Sequence, residues 1–418
     1  MKILWVKAGG LVPPDTGGKI RSFHILRQLA KIHSVTLFTF YKAHPDDMHS
    51  QLEGMFDQVF YVPMQIASGR GLGEFVSFAS NLFSPWPYTV SKYCRREVAA
   101  RIGKLLAKQS YDVVVCDFVV AAGALPKRVA CPTVIFTHNV EAKIWRQHFE
   151  MSRAPLWKLI SWGEYHKMLC FEKHSLERSH HVLTVSEVDK DFFSRFIDHS
   201  RMTVISTGVD TEYFQPDASK EQPGSLVFTG SMDWMPNEEG VMYFLRSILP
   251  RIRQEIPEVR FSIVGRRPSD KLRAVGSEPG IQVTGRVEDI RPYVYEGAVY
   301  VVPLRIGSGT RLKIFEAMAM GKAIVSTSRG AEGLPISDGH NIFIADTPEE
   351  FARKVVLLLR SPAERSRLGA AARKLVEARY SWASVAAEFE AVLQHLVTQE
   401  PAPREYVTAP TTVGSVVQ

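Results

Sequence analysis

Lys313 and Glu316 stand three residues apart, just past a glycine-containing segment, Gly307-Ser308-Gly309-Thr310-Arg311-Leu312-Lys313. Side chains at that spacing share one face of a helix. A helix that begins behind small residues gathers free backbone N–H groups and a partial positive charge at its start, which suits a phosphate. Lys313 can neutralise such a phosphate, and Glu316, one turn further in, can accept hydrogen bonds from a vicinal diol such as a ribose. Nucleotide recognition is the chemistry this spacing could perform. A plainer reading stays open, because Leu312, Phe315 and Ala319 give the helix an ordinary apolar face and one Lys with one Glu is common on such helices.

The flanking residues supply the elements that would position this pair. Val299-Tyr300-Val301-Val302 reads as a buried strand before the loop, and Lys322-Ala323-Ile324-Val325-Ser326 as the next strand. Similar short runs of Val, Ile and Phe recur at 226–229, 260–264, 282–284 and 341–345. The first half shows the same rhythm at 3–6, 35–40, 59–62, 113–116, 133–136 and 182–185, with helix-period segments between, such as 18–31 and 95–109. Alternation of this kind predicts an α/β fold, two doubly wound Rossmann-like domains that face each other across a cleft. The expected divisions are a domain at 1–205, a connector at 206–224 carrying Gly208, Pro216, Pro223 and Gly224, and a second domain at 225–380. A C-terminal helix at 381–397 is expected to pack back toward the first domain, and 398–418 to be a disordered tail. Ligands of such sheets sit at the carboxyl ends of the strands.

Composition narrows the partners. A hydrophobic fraction of 45% and a charged fraction of 23% are those of a soluble globular protein, and no window has the run of apolar residues that a spanning helix needs. Met1 to Lys7 reads as a first strand rather than a signal peptide. Cys94, Cys116, Cys131 and Cys170 show no CxxC pairing, which fits reduced thiols and a cytoplasmic setting. Residues 1–205 hold 26 Lys+Arg against 18 Asp+Glu, and the remainder 25 against 26, so +8 and −1 sum to the chain's +7. A basic half points to an anionic partner. Its charges are scattered over many helices rather than gathered in an aromatic-interleaved patch, so nucleic acid is the poorest candidate. Trp145, Trp157 and Trp162 interleave with Arg146, Arg153, Lys158 and Lys167, as in an interfacial segment, and a membrane surface is therefore an expected partner. Inward packing of those tryptophans explains the pattern equally well. A nicotinamide enzyme is disfavoured, since Ala8-Gly9-Gly10-Leu11 follows the first strand where GxGxxG would be required.

Several segments together carry a family likeness. They are Asp15-Thr16-Gly17-Gly18-Lys19, Phe136-Thr137-His138-Asn139-Val140-Glu141, Thr184-Val185-Ser186-Glu187, Thr207-Gly208-Val209-Asp210 running to Pro216, and Glu316-Ala317-Met318-Ala319-Met320-Gly321. In this order over about residues 1–395 the chain resembles the retaining GT-B glycosyltransferases of family 4, and within it the sugar transferases of exopolysaccharide clusters. The resemblance implies a nucleoside diphosphate sugar donor, UDP- or GDP-linked, and a lipid-linked or surface polysaccharide acceptor. The cysteines suit a cytoplasmic protein, the tryptophan-rich basic stretch and the +8 half suit one peripheral on the inner face of the plasma membrane, and no cofactor and no metal is expected. Glu316 would hold the donor ribose, and Ser308, Gly309, Thr310 and Lys313 the diphosphate. Gly285 and Val287 would offer backbone groups to the base, Gly17 and Gly18 would approach the donor phosphate or the acceptor, and His138 would lie near the anomeric carbon.

Two departures stand out. Ser308 occupies the place of the family's first glutamate, and Gly230-Ser231-Met232-Asp233-Trp234-Met235-Pro236 lacks the expected Arg and Lys. Arg311 with Lys313 would supply the missing charge for the leaving diphosphate, beside the donor-binding Gly230 and Ser231. A non-catalytic nucleotide-sugar-binding protein and a nucleotide-sugar epimerase remain alternatives. Asp189-Lys190-Asp191 superficially matches an acid-x-acid metal motif, but Ser186 before it reads as a helix N-cap.

Overall fold

The computed structural model describes residues 1–41, 50, 52–63, 81, 84–94, 96–152, 154–306, 312–399 and 404–405. They form two units, Met1–Ser206 joined by the chain from Ala386 onward, and Thr207–Val385.

The first unit is a seven-stranded sheet of β1 (Lys2–Lys7), β2 (Ser34–Tyr41), β3 (Gln58–Pro63), β4 (Val113–Asp117), β5 (Thr133–Phe136), β6 (His181–Thr184) and β7 (Met202–Val204). Every pairing is parallel, in the order β3-β2-β1-β4-β5-β6-β7. Parallel strands are covered on both faces, so they read as continuous apolar runs; β4 and β5 are buried at every position. The helices that matter below are α1 (Gly17–Leu29), α2 (Glu141–Met151), α3 (Pro155–Arg178) and α4 (Glu187–Phe193). Ser186 caps α4, accepting from the Asp189 amide at 3.2 Å.

The second unit holds β8 (Gln222–Thr229), β9 (Arg260–Val264), β10 (Ile281–Gly285), β11 (Gly297–Val302), β12 (Ala323–Ser326) and β13 (Phe343–Ile344), again all parallel, in the order β10-β9-β8-β11-β12-β13. The order reverses between β8 and β11, the point where such sheets open to a ligand. Its main helices here are α5 (Met235–Tyr243), α6 (Leu312–Ala319), α7 (Pro362–Arg379) and α8 (Trp382–Thr398). Gly321, at a left-handed φ of 64°, stops α6, with the Lys322 amide donating back to Ala317 O at 3.0 Å.

Two expected boundaries need correction. Residues 207–224 are not a free connector. Val209 donates its amide to Tyr380 O at 2.7 Å, and Arg373 donates to Thr211 O at 3.0 Å and Phe214 O at 2.6 Å. One half-buried guanidinium thus satisfies carbonyls that a loose linker would leave to water. Within the expected tail, Arg404–Glu405 pairs antiparallel with Arg128–Val129, and the other residues from 400 onward lie outside the described residues. Helix α8 starts in the second unit, where Trp382 covers Gly208, and continues into the first, where Phe389 packs on Trp5 and Phe136 at 5.4 and 5.2 Å.

Candidate functional site

At the carboxyl edge of the second sheet, the turn after β8 and the start of α6 come together at the switch point. Lys313 Nζ donates to Asn237 Oδ1 at 2.6 Å and lies 4.1 Å above the Phe228 ring. Asn237 in turn donates to Ser231 O at 2.8 Å. Gly230 is required by this crowding, because a Cβ there would sit 2.5 Å from Lys313 Nζ. Gly265 directly follows neighbouring β9, and a Cβ on it would lie 1.7 Å from Gly230 O, so the two turns touch backbone to backbone. Gly285 ends β10 at a φ of 71° with open space beside it, and Val287 packs on the second core.

Glu316, one turn along α6 from Lys313, is half-buried, and its side chain makes no hydrogen bond or ion pair with the described residues. Burial raises its pKa to about 7 against the lowering influence of Lys313. An acid held out of water without a partner is costly, and nothing in the packing of the helix calls for it. Ser308, Gly309, Thr310 and Arg311 lie outside the described residues.

The cation missed by sequence reasoning comes from the adjacent strand. Arg266 follows β9 and donates from Nε to Ser231 Oγ at 2.8 Å, while Arg267 pairs with Asp233 at 2.9 Å. Strand order alone brings residues 231 and 266 together, so no local motif announced it. Arg267 holds a φ of 55°, unusual outside glycine.

The first unit has a buried cluster at its own switch point, between the paired strands β1 and β4. His138, 4% exposed, donates from Nε2 to Asp117 Oδ1 at 2.7 Å, and Arg21 donates from Nη1 to His138 Nδ1 at 2.9 Å. Arginine only donates, so Nδ1 is the acceptor and the proton sits on Nε2. Trp5 Nε1 and Lys7 Nζ donate to Asp117 Oδ2 at 2.8 and 3.1 Å, and Lys7 also reaches Ser22 Oγ at 3.0 Å. Burial alone would raise the Asp117 pKa, but Lys7 and His138 outweigh it and hold the carboxyl well below its usual range. Burial pulls His138 down to about 4 despite Asp117, so the ring is neutral near pH 7. Both ring nitrogens are engaged and Phe118 and Phe136 flank the ring at 4.2 and 4.4 Å, an arrangement that fixes His138 in place rather than freeing it to move protons.

Phe118 directly follows β4 at a φ of 72°, and its ring also faces Gly18, where a Cβ would come within 2.7 Å. Gly18 is thus needed for close packing, whereas Gly17 opens onto free space. Lys7, Arg21, Asp117 and Phe118 were not legible beforehand as a group; the strand-end position of Asp117 after Val113-Val114-Val115-Cys116 was the signal available.

Residues 17–213 match the domain family "Glycosyltransferase Family 4" and residues 223–361 match "Glycosyl transferases group 1". HepE of Anabaena, solved in complex with UDP, has the same fold, with a TM-score of 0.64 and 13% identity over 95% of this chain and 100% of that one. The chain carries the two domains of a GT-B glycosyltransferase. The solved TarM structure is likewise similar, with a TM-score of 0.65, 11% identity, and coverage of 94% and 99%. Among curated proteins, an uncharacterised 44.6 kDa protein in the cps region of Klebsiella pneumoniae is 22% identical over 85% of this chain and 90% of its own length. The MMP alpha-(1->4)-mannosyltransferase of Mycolicibacterium hassiacum is 26% identical over 81% and 82%. In this glycosyltransferase the switch-point edge of each domain therefore carries one polar cluster, Lys313 with Glu316 in the second and His138 with Asp117 in the first.

Proposed function

We propose that this glycosyltransferase moves a sugar from a nucleoside diphosphate sugar, UDP- or GDP-linked, to a lipid-linked or surface polysaccharide acceptor with retention at the anomeric carbon. The observation that carries the donor reading is the Glu316 carboxyl, half-buried and without a hydrogen-bond or ion-pair partner among the described residues, one turn from Lys313 at the sheet's switch point. Glu316 accepts from the ribose hydroxyls. Lys313, with Arg266 and Arg311, stabilises the diphosphate as it gains charge on leaving, and preorganised cations of this kind supply much of the rate in such a step. Gly230 and Ser231 line the phosphate path, the family resemblance assigns Ser308, Gly309 and Thr310 to the diphosphate, and Gly285 and Val287 flank the base. His138 positions the first domain's edge, held by Asp117 and Arg21, and no resident cofactor or metal is needed. UDP in the HepE complex supports a uridine donor, and the Klebsiella cps-region relative supports a polysaccharide product. Retention rests on the family resemblance.

The test is a product scan by NMR of the purified protein with UDP- and GDP-sugars. Slow donor hydrolysis, accelerated by an added glycan acceptor, is expected. Conversion of the donor sugar without release of nucleoside diphosphate would instead identify an epimerase, and a donor that binds but never turns over would identify a non-catalytic subunit.

A further inference from the structure

Helices α2 and α3, joined by residues 152–154, pack on one another at the margin of the first unit. Helix α3 has a well-defined inner face, with Ile160, Met168 and Leu176 buried. Its opposite face is apolar too. Leu156 is 53% exposed, Leu159 65% and Trp162 43%, and on α2 Met151 is 83% exposed and Ile144 37%. Twelve large apolar residues are exposed among the described residues, and five of them fall within 144–162, so the exposure is gathered rather than scattered. Phe149 and Trp162 pack at 5.1 Å and Trp162 meets His166 at 4.3 Å, joining the two helices' apolar residues into one patch. Trp145 and Trp157 are half-buried, so Trp162 is the exposed indole of the three expected from the sequence.

The charge along this segment of the sequence is predominantly positive. Residues 143–162 contain Lys143, Arg146, Arg153 and Lys158 against the single acid Glu150, which is already bound to Arg146 at 2.9 Å. Arg146 and Lys158 are exposed, and Lys158 extends over the Phe149 ring at 5.8 Å. A soluble polyanion would be met by the cations with no use for bare leucines. A neutral protein face would be met by the leucines with no use for the cations. Apolar knobs rimmed by cations fit the boundary between anionic headgroups and acyl chains. No described helix is long and apolar enough to cross a membrane, so such an attachment would be to one surface.

We infer that the α2–α3 hairpin tip, through Met151, Leu156, Leu159 and Trp162 with Arg146 and Lys158, docks the protein on an anionic lipid bilayer. The experiment is flotation of the full chain with phosphatidylcholine vesicles, with and without about a third phosphatidylglycerol. Binding to the anionic vesicles is expected, weakening with added salt as surface charges are screened. Leu156→Glu with Leu159→Glu is expected to lower the vesicle affinity by about tenfold or more. Both sites are exposed, so the melting temperature should hold. A second variant, Arg146→Glu with Lys158→Glu, should lose the preference for anionic lipid. Absence of binding to anionic vesicles, or equal binding by the leucine variant, would overturn the inference. So would a dimer that the leucine variant dissociates in sedimentation while vesicles capture nothing, since the patch would then be a contact between copies. Vesicle binding involves no donor nucleotide, so failure here leaves the donor-site reading untouched.

Discussion

Glu316 is the residue whose chemistry runs against its surroundings, and its substitution separates stability from binding. Its folded pKa of about 7 lies above the ordinary glutamate value, so the folded state holds the proton longer than the unfolded chain. The sign follows: stability is fully present below the unfolded pKa and is lost as pH rises through about 7. Glu316→Gln is therefore expected to make the ligand-free protein more stable at pH 8, by roughly 1–3 kcal/mol, and to change little at pH 4.5. Urea unfolding at the two pH values checks this; an equal difference at both would show that the carboxyl is not held out of water. Gly230→Ala acts on the partner. Side chains rarely adopt its φ of 157°, and the added methyl would crowd Lys313 and Asn237, so donor affinity should drop several-fold and the melting temperature should fall with it. His138 presents the opposite case. Removing it in His138→Ala leaves Asp117 and Arg21 buried beside a hole, at a cost of about 3 kcal/mol or more in urea unfolding. With its pKa lowered to about 4, its own contribution is present above pH 6.5 and lost as pH falls toward 4.

At the scale of elements, the strands were the most legible feature, because parallel strands buried on both faces write themselves as unbroken apolar runs. β4 and β5 fell where Val113-Val114-Val115-Cys116 and Thr133-Val134-Ile135-Phe136 indicated. β7 was missed, since Met202-Thr203-Val204 is short and only one of its residues is buried. The polar clusters were half legible. Lys313 and Glu316 share one helix and can be seen from spacing alone. Arg266 beside Ser231, and Asp117 beside His138, depend on which strand lies next to which, and sequence proximity carries no trace of that. Helix α8 backs the first-unit cluster, because Phe389 packs on Trp5, whose indole holds Asp117. Phe389→Ala is expected to cost about 3–5 kcal/mol in equilibrium unfolding. A loss under 1 kcal/mol would mean that the helix is not part of that core.

For the whole molecule, charge and chemistry are divided between the units. The basic surplus sits in residues 1–205, the part that carries the exposed hairpin tip, while the near-neutral remainder sets Arg266 beside Ser231 and Lys313 beside Asn237. That division matches a protein with one anionic surface to meet and one small anionic ligand to grip. The most direct measurement of the second task is calorimetric titration of UDP and GDP into the intact chain and into Glu316→Ala. One nucleotide is expected to bind the wild-type protein and to lose about 10- to 100-fold in affinity with the variant, as deletion of a charged hydrogen-bond acceptor predicts. Equal affinity in the two proteins would contradict the assignment of Glu316 to the donor.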